Sequence, residues 1–578
     1  MNRFFSFFIL YFISQTLLAQ NTTDFITVFE KSHGTETATY HETITFYKQL
    51  ANIYSQISIQ EMGKTDSGEP LHLVTWNSDL EFDYTKIRQS NKLILLINNG
   101  IHPGESDGID ATMMLFRDLV QGKIKAPKNT VLVTIPIYNV GGSLNRNTGT
   151  RANQNGPKEY GFRGNARNYD LNRDFIKCDT ENAKSFAQIF HLVQPDVFID
   201  NHVSNGADYQ YTLTHLFTQH NKLGGSLGEF LNKKMMPDLE AKLAQKNWDI
   251  TPYVNVFNQV PEIGFSQFMD YPRYSTGYTA LWNVLGMMVE THMLKPYKQR
   301  VEGTYELMIS MIEIIEENSE DIGLLREGAF YSLKEGTTYP INWEIDTTQT
   351  TTLNFKGFEG SMVTSEVTGS QRLKYDRNKP FTKEVIYQNF YNPTIEVTVP
   401  NAYIIPQGWF DVIDLLKLNQ VKMTQFEKDT TLTVQSYKIV NFETRDIAYE
   451  GHYPHYNTNV DTNEETVTFR KGDYYISTNQ PAKRYLLETL EPQAPDSFFN
   501  WNFFDTILQQ KEGFSPYVFE DTAKEMLESN AELKAEFENK KESDKSFSAN
   551  WYAQLNWIYE QSNHAEKAYM QYPAYRIN

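Results

Sequence analysis

Short apolar runs alternate with stretches of helical spacing through the first half of the chain. Residues 93–97, 130–138, 196–200 and 283–289 are mostly apolar and read as buried strands. Between them, residues 107–120, with Met113, Met114, Leu119 and Val120, residues 180–193 and a longer segment around 227–244 carry a helical pattern. Upstream, residues 39–55 read as a helix, and residues 57–76 as two short strands joined by the turn 63–70. A further helical pattern covers 297–317. Strands interleaved with helices predict an α/β layer structure.

The texture changes beyond that point. Residues 331–439 are rich in Thr, Val, Tyr and Phe with β-like alternation, as in Thr394-Ile395-Glu396-Val397-Thr398-Val399, and a helix-like insert at 410–418 interrupts them. Residues 473–507 are aromatic-rich, and 521–545 form a charged helical stretch expected to be solvated. With 578 residues and 40% hydrophobic content, the chain can bury more than one core. We therefore expect a first domain over 21–325 and a β-containing accessory region with a helical C-terminal stretch over 326–578.

At the N-terminus, Arg3 precedes a mostly apolar stretch, residues 4–18, ending near Ala19-Gln20. It is short for a membrane span and reads as a secretory signal peptide over 1–20, so the mature protein is expected to be exported, periplasmic or secreted, without stable membrane insertion. The net charge of −19 disfavours nucleic acid as a partner. The single cysteine, Cys178, has no internal disulfide partner, so a metal site here must rely on histidine and carboxylate. Oligomeric state is not legible.

Candidate chemistry lies at the ends of the apolar runs. Asn98-Asn99-Gly100-Ile101-His102-Pro103-Gly104-Glu105 follows the first of them, and its tight turn lets His102 and Glu105 reach one ion. His202 ends the run 196–200, and Glu290 ends the run 283–289. These are the positions where open α/β sheets bind ligands. Two histidines and a glutamate are a ligand set of catalytic zinc sites that leave one position for water, and a further carboxylate would serve as base. The remaining histidines read as structural: His191 as packed or on the surface, His292 beside Glu290 on its strand, His215 and His220 in polar surroundings.

The turn His102-Pro103-Gly104-Glu105, then Leu171-Asn172-Arg173-Asp174, then His202 and Glu290 resemble, in order and spacing, the zinc carboxypeptidase family of the carboxypeptidase A (funnelin) type, in its exported bacterial branch. The resemblance covers about residues 40–320. It implies a zinc carboxypeptidase-like mixed sheet flanked by helices, followed by the β-rich C-terminal region. It implies one zinc per chain on His102, Glu105 and His202; that set is the established one of carboxypeptidase A, so the resemblance carries it rather than the chain alone. It also implies Glu290 as general base, Asn172 and Arg173 as the grip on a peptide's terminal carboxylate, and an upstream arginine for the oxyanion. Arg163 is the choice for that arginine, with Arg167, Arg151 and Arg146 as competitors. A mobile tyrosine has candidates in Tyr271, Tyr274 and Tyr278, none at a clean spacing, and Arg273 could extend an anionic subsite. The implied function is a metallocarboxypeptidase acting on peptides. The alternatives are a zinc amidohydrolase acting on cell-wall or modified peptides, and a peptide-binding protein on an inactive scaffold.

Overall fold

The computed structural model describes residues 24–578; the signal segment expected at 1–20 lies outside them. Among the described residues no helix is long and apolar enough to cross a membrane.

The strands form where the apolar runs lie. They are β1 (Ile57–Lys64), β2 (Pro70–Trp76), β3 (Leu93–Asn98), β4 (Thr130–Ile135), β5 (Val197–Ser204), β6 (Leu213–Phe217), β7 (Ile250–Pro252), the two-residue β8 (Phe265–Ser266) and β9 (Leu285–His292). All except β8 build one eight-stranded mixed sheet in the order β1-β2-β4-β3-β5-β9-β6-β7. Its centre, β4-β3-β5-β9, is parallel. Every residue of β3, β4 and β5 is buried, as expected of strands with both faces covered by helices. Asp107–Val120, Glu181–Val193 and Tyr297–Glu317 are among those helices. Gly108 marks how closely the first of them approaches: a Cβ there would lie 2.4 Å from Asn201 Cβ on β5.

Several expectations shift. The strand expected at 130–138 stops at Ile135, before Pro136, which has no N–H to continue the ladder. β6 and β7 have no counterpart among the expected strands. β9 runs to His292, so Glu290 lies within the strand rather than at its end. The helix expected over 227–244 is three consecutive segments, Gly225–Phe230, Leu231–Met235 and Met236–Gln245, the middle one with wider π-type hydrogen bonding.

The C-terminal part adds β10 (Thr338–Ile345), β11 (Thr351–Thr364), β12 (Gln371–Gln388), β13 (Tyr391–Thr398), β14 (Ala402–Ile405), β15 (Thr424–Gln425), β16 (Thr430–Thr444), β17 (His455–Phe469), β18 (Tyr474–Ser477) and β19 (Tyr575–Ile577). Six of them form a sheet in the order β15-β18-β14-β19-β16-β17. This region is joined closely to the first. Helix Ser319–Ser332 runs across residue 325, β8 pairs with β12, and one continuous core contains both Phe198 and Tyr485. The charged stretch at 521–545 is two helices, Pro516–Ser529 and Ala531–Ser543, split at Asn530. They are not solvated all round: Phe519 and Phe537 are buried in a small cluster with Phe547, Leu555 and Ile558.

Candidate active site

Four chain segments converge at the C-terminal part of β3, β5 and β9. The turn after β3 is closed by Glu105 N donating to His102 O at 2.7 Å. His202 stands on β5 directly beside Glu290 on β9, the two being register partners. The fourth segment, residues 160–174, brings Arg163, Asp170, Asn172 and Arg173 to the same place.

His102, Glu105 and His202 are each 3% exposed, and one ligand atom from each lies within 4.8 Å of the others. His102 Nδ1 is 3.2 Å from Glu105 Oε1, and His202 Nδ1 is 3.1 Å from Glu105 Oε2. The opposite nitrogens are held by carboxylates: His102 Nε2 lies 2.9 Å from Asp170 Oδ1, and His202 Nε2 lies 2.9 Å from Asp200 Oδ2. A carboxylate behind each imidazole accepts a hydrogen bond from Nε2–H and so leaves the Nδ1 lone pair for a metal. Two such nitrogens and a carboxylate oxygen on one point make a donor set that fits zinc.

The electrostatics follow from burial and charge. Burial alone would raise Glu105, but His102 and Arg151 outweigh it and hold the carboxyl well below the usual range. Asp170 is likewise held down against its burial, by His102, Arg163 and Arg173. Burial would lower His202, yet Asp200 and Glu105 raise it well above an ordinary histidine. Glu290 goes the other way: burial pushes it up to about 7, with Glu105 and Asp200 adding and His202 and Arg163 opposing.

These groups open onto a cavity of about 480 Å³. His102, Glu105, His202, Glu290, Arg163, Asn172 and Arg173 all line it. Among the competing arginines, Arg163 alone lines the cavity; it lies 3.7 Å from Glu105 Oε1 and donates to Asp170 Oδ2 at 2.8 Å. Arg151 also reaches Glu105, at 2.9 Å, but does not line the cavity. Arg146 pairs with Glu159, and Arg167 faces Asp66. Arg173 is stacked over the Tyr274 ring at 4.6 Å, donates from Nη1 to Asn172 O at 2.7 Å and lies 4.0 Å from Asp170, so the aspartate does not consume its donors. Asn172 Oδ1 accepts from Ser275 N at 3.2 Å.

Of the three tyrosines, only Tyr274 lines the cavity. Tyr271 donates to Asn342, and Tyr278 is fully buried against Asn419. Arg273 does not extend the site: its guanidinium is committed to the buried Asp496 at 2.8 Å. His292 packs on Tyr209 and bonds Asp208, His191 meets Asn419, and His215 meets Glu240, as structural histidines do. Burial pushes the Cys178 thiol well up, so it is no activated thiolate. Sequence reading missed Asp170, Asp200 and Tyr253, the last a fourth tyrosine on the cavity wall. Asp200 had a signal, since it precedes His202 by two and a strand puts both on one face. Asp170 had none, because its link to His102 spans 68 residues.

Residues 43–196 match the family model described as zinc carboxypeptidase. Carboxypeptidase 2 of Trichophyton rubrum is 21% identical over 495 residues, covering 81% of this chain and 84% of that relative. Carboxypeptidase 2 of Trichophyton equinum is 22% identical over 497 residues, with coverage of 81% and 84%. Among solved structures, the metallo-carboxypeptidase from Burkholderia cenocepacia aligns with 49% of this chain and 70% of its own, at 16% identity and a TM-score of 0.38. The family match spans the His102–Glu105 turn and the Asn172–Arg173 pair, and the carboxypeptidase 2 relatives align over most of the chain, so residues 43–196 are similar to the zinc carboxypeptidase family.

Proposed function

We propose that the protein is an exported zinc carboxypeptidase that releases single residues from the C-termini of peptides. The observation that carries this reading is the shared cavity: Asn172 and Arg173 face the same space as the His102–Glu105–His202 cluster and Glu290. A guanidinium and an amide in the same cavity suit a terminal carboxylate, and gripping it there would present the last peptide bond to the cluster.

His102, Glu105 and His202 would hold the zinc, and Asp170 and Asp200 would keep the two imidazoles in the Nδ1-donating form. When bound, zinc supplies a Lewis acid that polarises a carbonyl and makes water a better nucleophile at neutral pH. The Glu290 carboxylate takes the proton from the attacking water and returns it to the leaving amine. Arg163, 46% exposed toward the cavity, offers its guanidinium donors to the developing oxyanion. Arg173 forks onto the substrate carboxylate, with Tyr274 stacked beneath it. Leu216, Phe268 and Met288 line the same cavity and favour an apolar C-terminal side chain.

The test is a panel of peptides with free and amidated C-termini, ending in Phe, Leu, Lys or Asp, with and without a chelator. We expect stepwise loss of C-terminal residues from the free acids, fastest for Phe and Leu, and abolished by the chelator. Equal cleavage of amidated peptides would overturn the exopeptidase reading, and chelator-insensitive cleavage would overturn the zinc assignment.

A further inference from the structure

The β16–β17 hairpin belongs to the C-terminal region, yet its tip reaches the loop that carries Asn172 and Arg173. Tyr449 and His452 close the tip with two main-chain hydrogen bonds, of 2.8 and 3.1 Å. Between them Glu450 and Gly451 both have left-handed φ, 49° and 81°, as the tightest hairpin turns require. Glycine is needed at 451 for a second reason: a Cβ there would lie 2.4 Å from the Tyr169 hydroxyl. The tip is thus pressed against the residue preceding Asp170.

Three side chains fasten it there. Glu450 Oε2 accepts from Asp170 N at 2.8 Å. His452 Nε2 lies 2.8 Å from Asp179 Oδ2, and Asp179 also meets the buried Lys177. The Tyr449 ring stacks on Trp501, and its hydroxyl end lies beside Arg173 and Arg273. Asp170 is the point on which the site turns. Its two oxygens serve His102 Nε2, Arg163 and Asn172 N, so a shift of its backbone moves a candidate metal ligand, the oxyanion arginine and the carboxylate-binding loop together. Glu450 sits close to the Asp170 carboxylate, an arrangement like charges disfavour, and its oxygen is nevertheless used on the Asp170 main chain.

We propose that this hairpin tip is part of the active site, with Glu450 as a positioning residue that fixes Asp170 and through it the carboxylate-gripping loop. The inference rests on the carboxypeptidase reading for what the loop grips. It assigns the C-terminal region a role in substrate binding.

The experiment compares Glu450→Ala, Glu450→Gln and Tyr449→Phe with the wild type in the full, zinc-loaded chain. The readouts are kcat and KM on hippuryl-phenylalanine, calorimetric affinity for L-phenylalanine as a free carboxylate probe, zinc content and Tm. Removing one hydrogen-bond acceptor is expected to raise KM and the Kd for L-phenylalanine together by about five- to tenfold in Glu450→Ala. Zinc content should stay at the wild-type level. Glu450→Gln should restore both constants, because its amide oxygen can accept the same N–H, and a purely structural role would show in Tm without this rescue. Tyr449→Phe keeps the stack on Trp501 and should also weaken L-phenylalanine binding, which keeps the idea testable if Glu450→Ala does not fold. Wild-type Kd and KM in Glu450→Ala, or equal losses in Ala and Gln, would overturn the proposal. A wild type that binds L-phenylalanine yet cleaves no free-acid peptide would instead sink the carboxypeptidase reading, and the calorimetric comparison would still decide the part played by Glu450.

Discussion

Replacing Arg173 is the sharpest test of how the site recognises its substrate. Its side chain is 22% exposed, so a bound carboxylate would be partly hydrated there, and each charge-assisted hydrogen bond should be near the lower end of its range, about 1.5 kcal/mol. Two parallel bonds make about 3 kcal/mol, which is about 150-fold in kcat/KM for Arg173→Ala. Arg173→Lys keeps the charge and loses the fork, so about one bond, roughly tenfold, should be lost. The loss should fall mainly on KM. Asp170 keeps His102 at 2.9 Å and Arg163 at 2.8 Å when Arg173 is gone, so the candidate metal site is undisturbed and zinc content should not change. The assay is steady-state hydrolysis of hippuryl-phenylalanine and of its C-terminal amide by wild type and both variants, with zinc measured in each. An unchanged KM on the free acid, or a variant that loses its zinc, would refute the argument.

Three further outcomes are expected. Glu290→Gln should cut turnover by at least about 10²–10⁴-fold with zinc retained, and near-normal kcat in the zinc-loaded variant would remove the base assignment. Asp200→Asn removes the carboxylate behind His202 and should weaken zinc binding by about 10–100-fold in a chelator competition, whereas unchanged affinity would show the His202 tautomer is held some other way. Asp110, buried on the helix that follows the His102–Glu105 turn, is pushed up to about 7 by burial, against a hydrogen bond from the Tyr297 hydroxyl. A raised carboxyl contributes stability that is complete below its ordinary value and lost as pH rises through 7. The stability of the wild type relative to Asp110→Asn should therefore fall between pH 5 and pH 8 in denaturant titrations, and parallel profiles would contradict it.

Much of the site was legible in the chain because its residues lie in or just after strands that announce themselves. β3, β5 and β9 are apolar enough to be recognised one by one, and a charged residue interrupting or following such a run has few other reasons to be there. The His102–Glu105 turn was also local, since two residues and a Pro-Gly turn bring the side chains together without help from the rest of the fold. The short strands β6 and β7 and the breaks in the C-terminal helices carried no comparable local signal. Their ends are decided by what packs beside them: β6 is held by β9, and Phe519 and Phe537 by their common cluster.

The amino-acid order alone therefore marked the apolar runs that become β3, β5 and β9 and the candidate residues His102, Glu105, His202 and Glu290 in or just after them, because burial of apolar runs and tight turns are local demands. Only the tertiary structure decided which groups complete them. Asp170 lies behind His102 across 68 residues, Arg163 rather than Arg151 lines the cavity, Tyr274 faces it where Tyr271 and Tyr278 do not, and Glu450 reaches Asp170 across 280. Hydrogen bonds and ion pairs act over about 3 Å whatever the separation in sequence, so no spacing along the chain encodes them until the sheet and the hairpin have brought their backbones together.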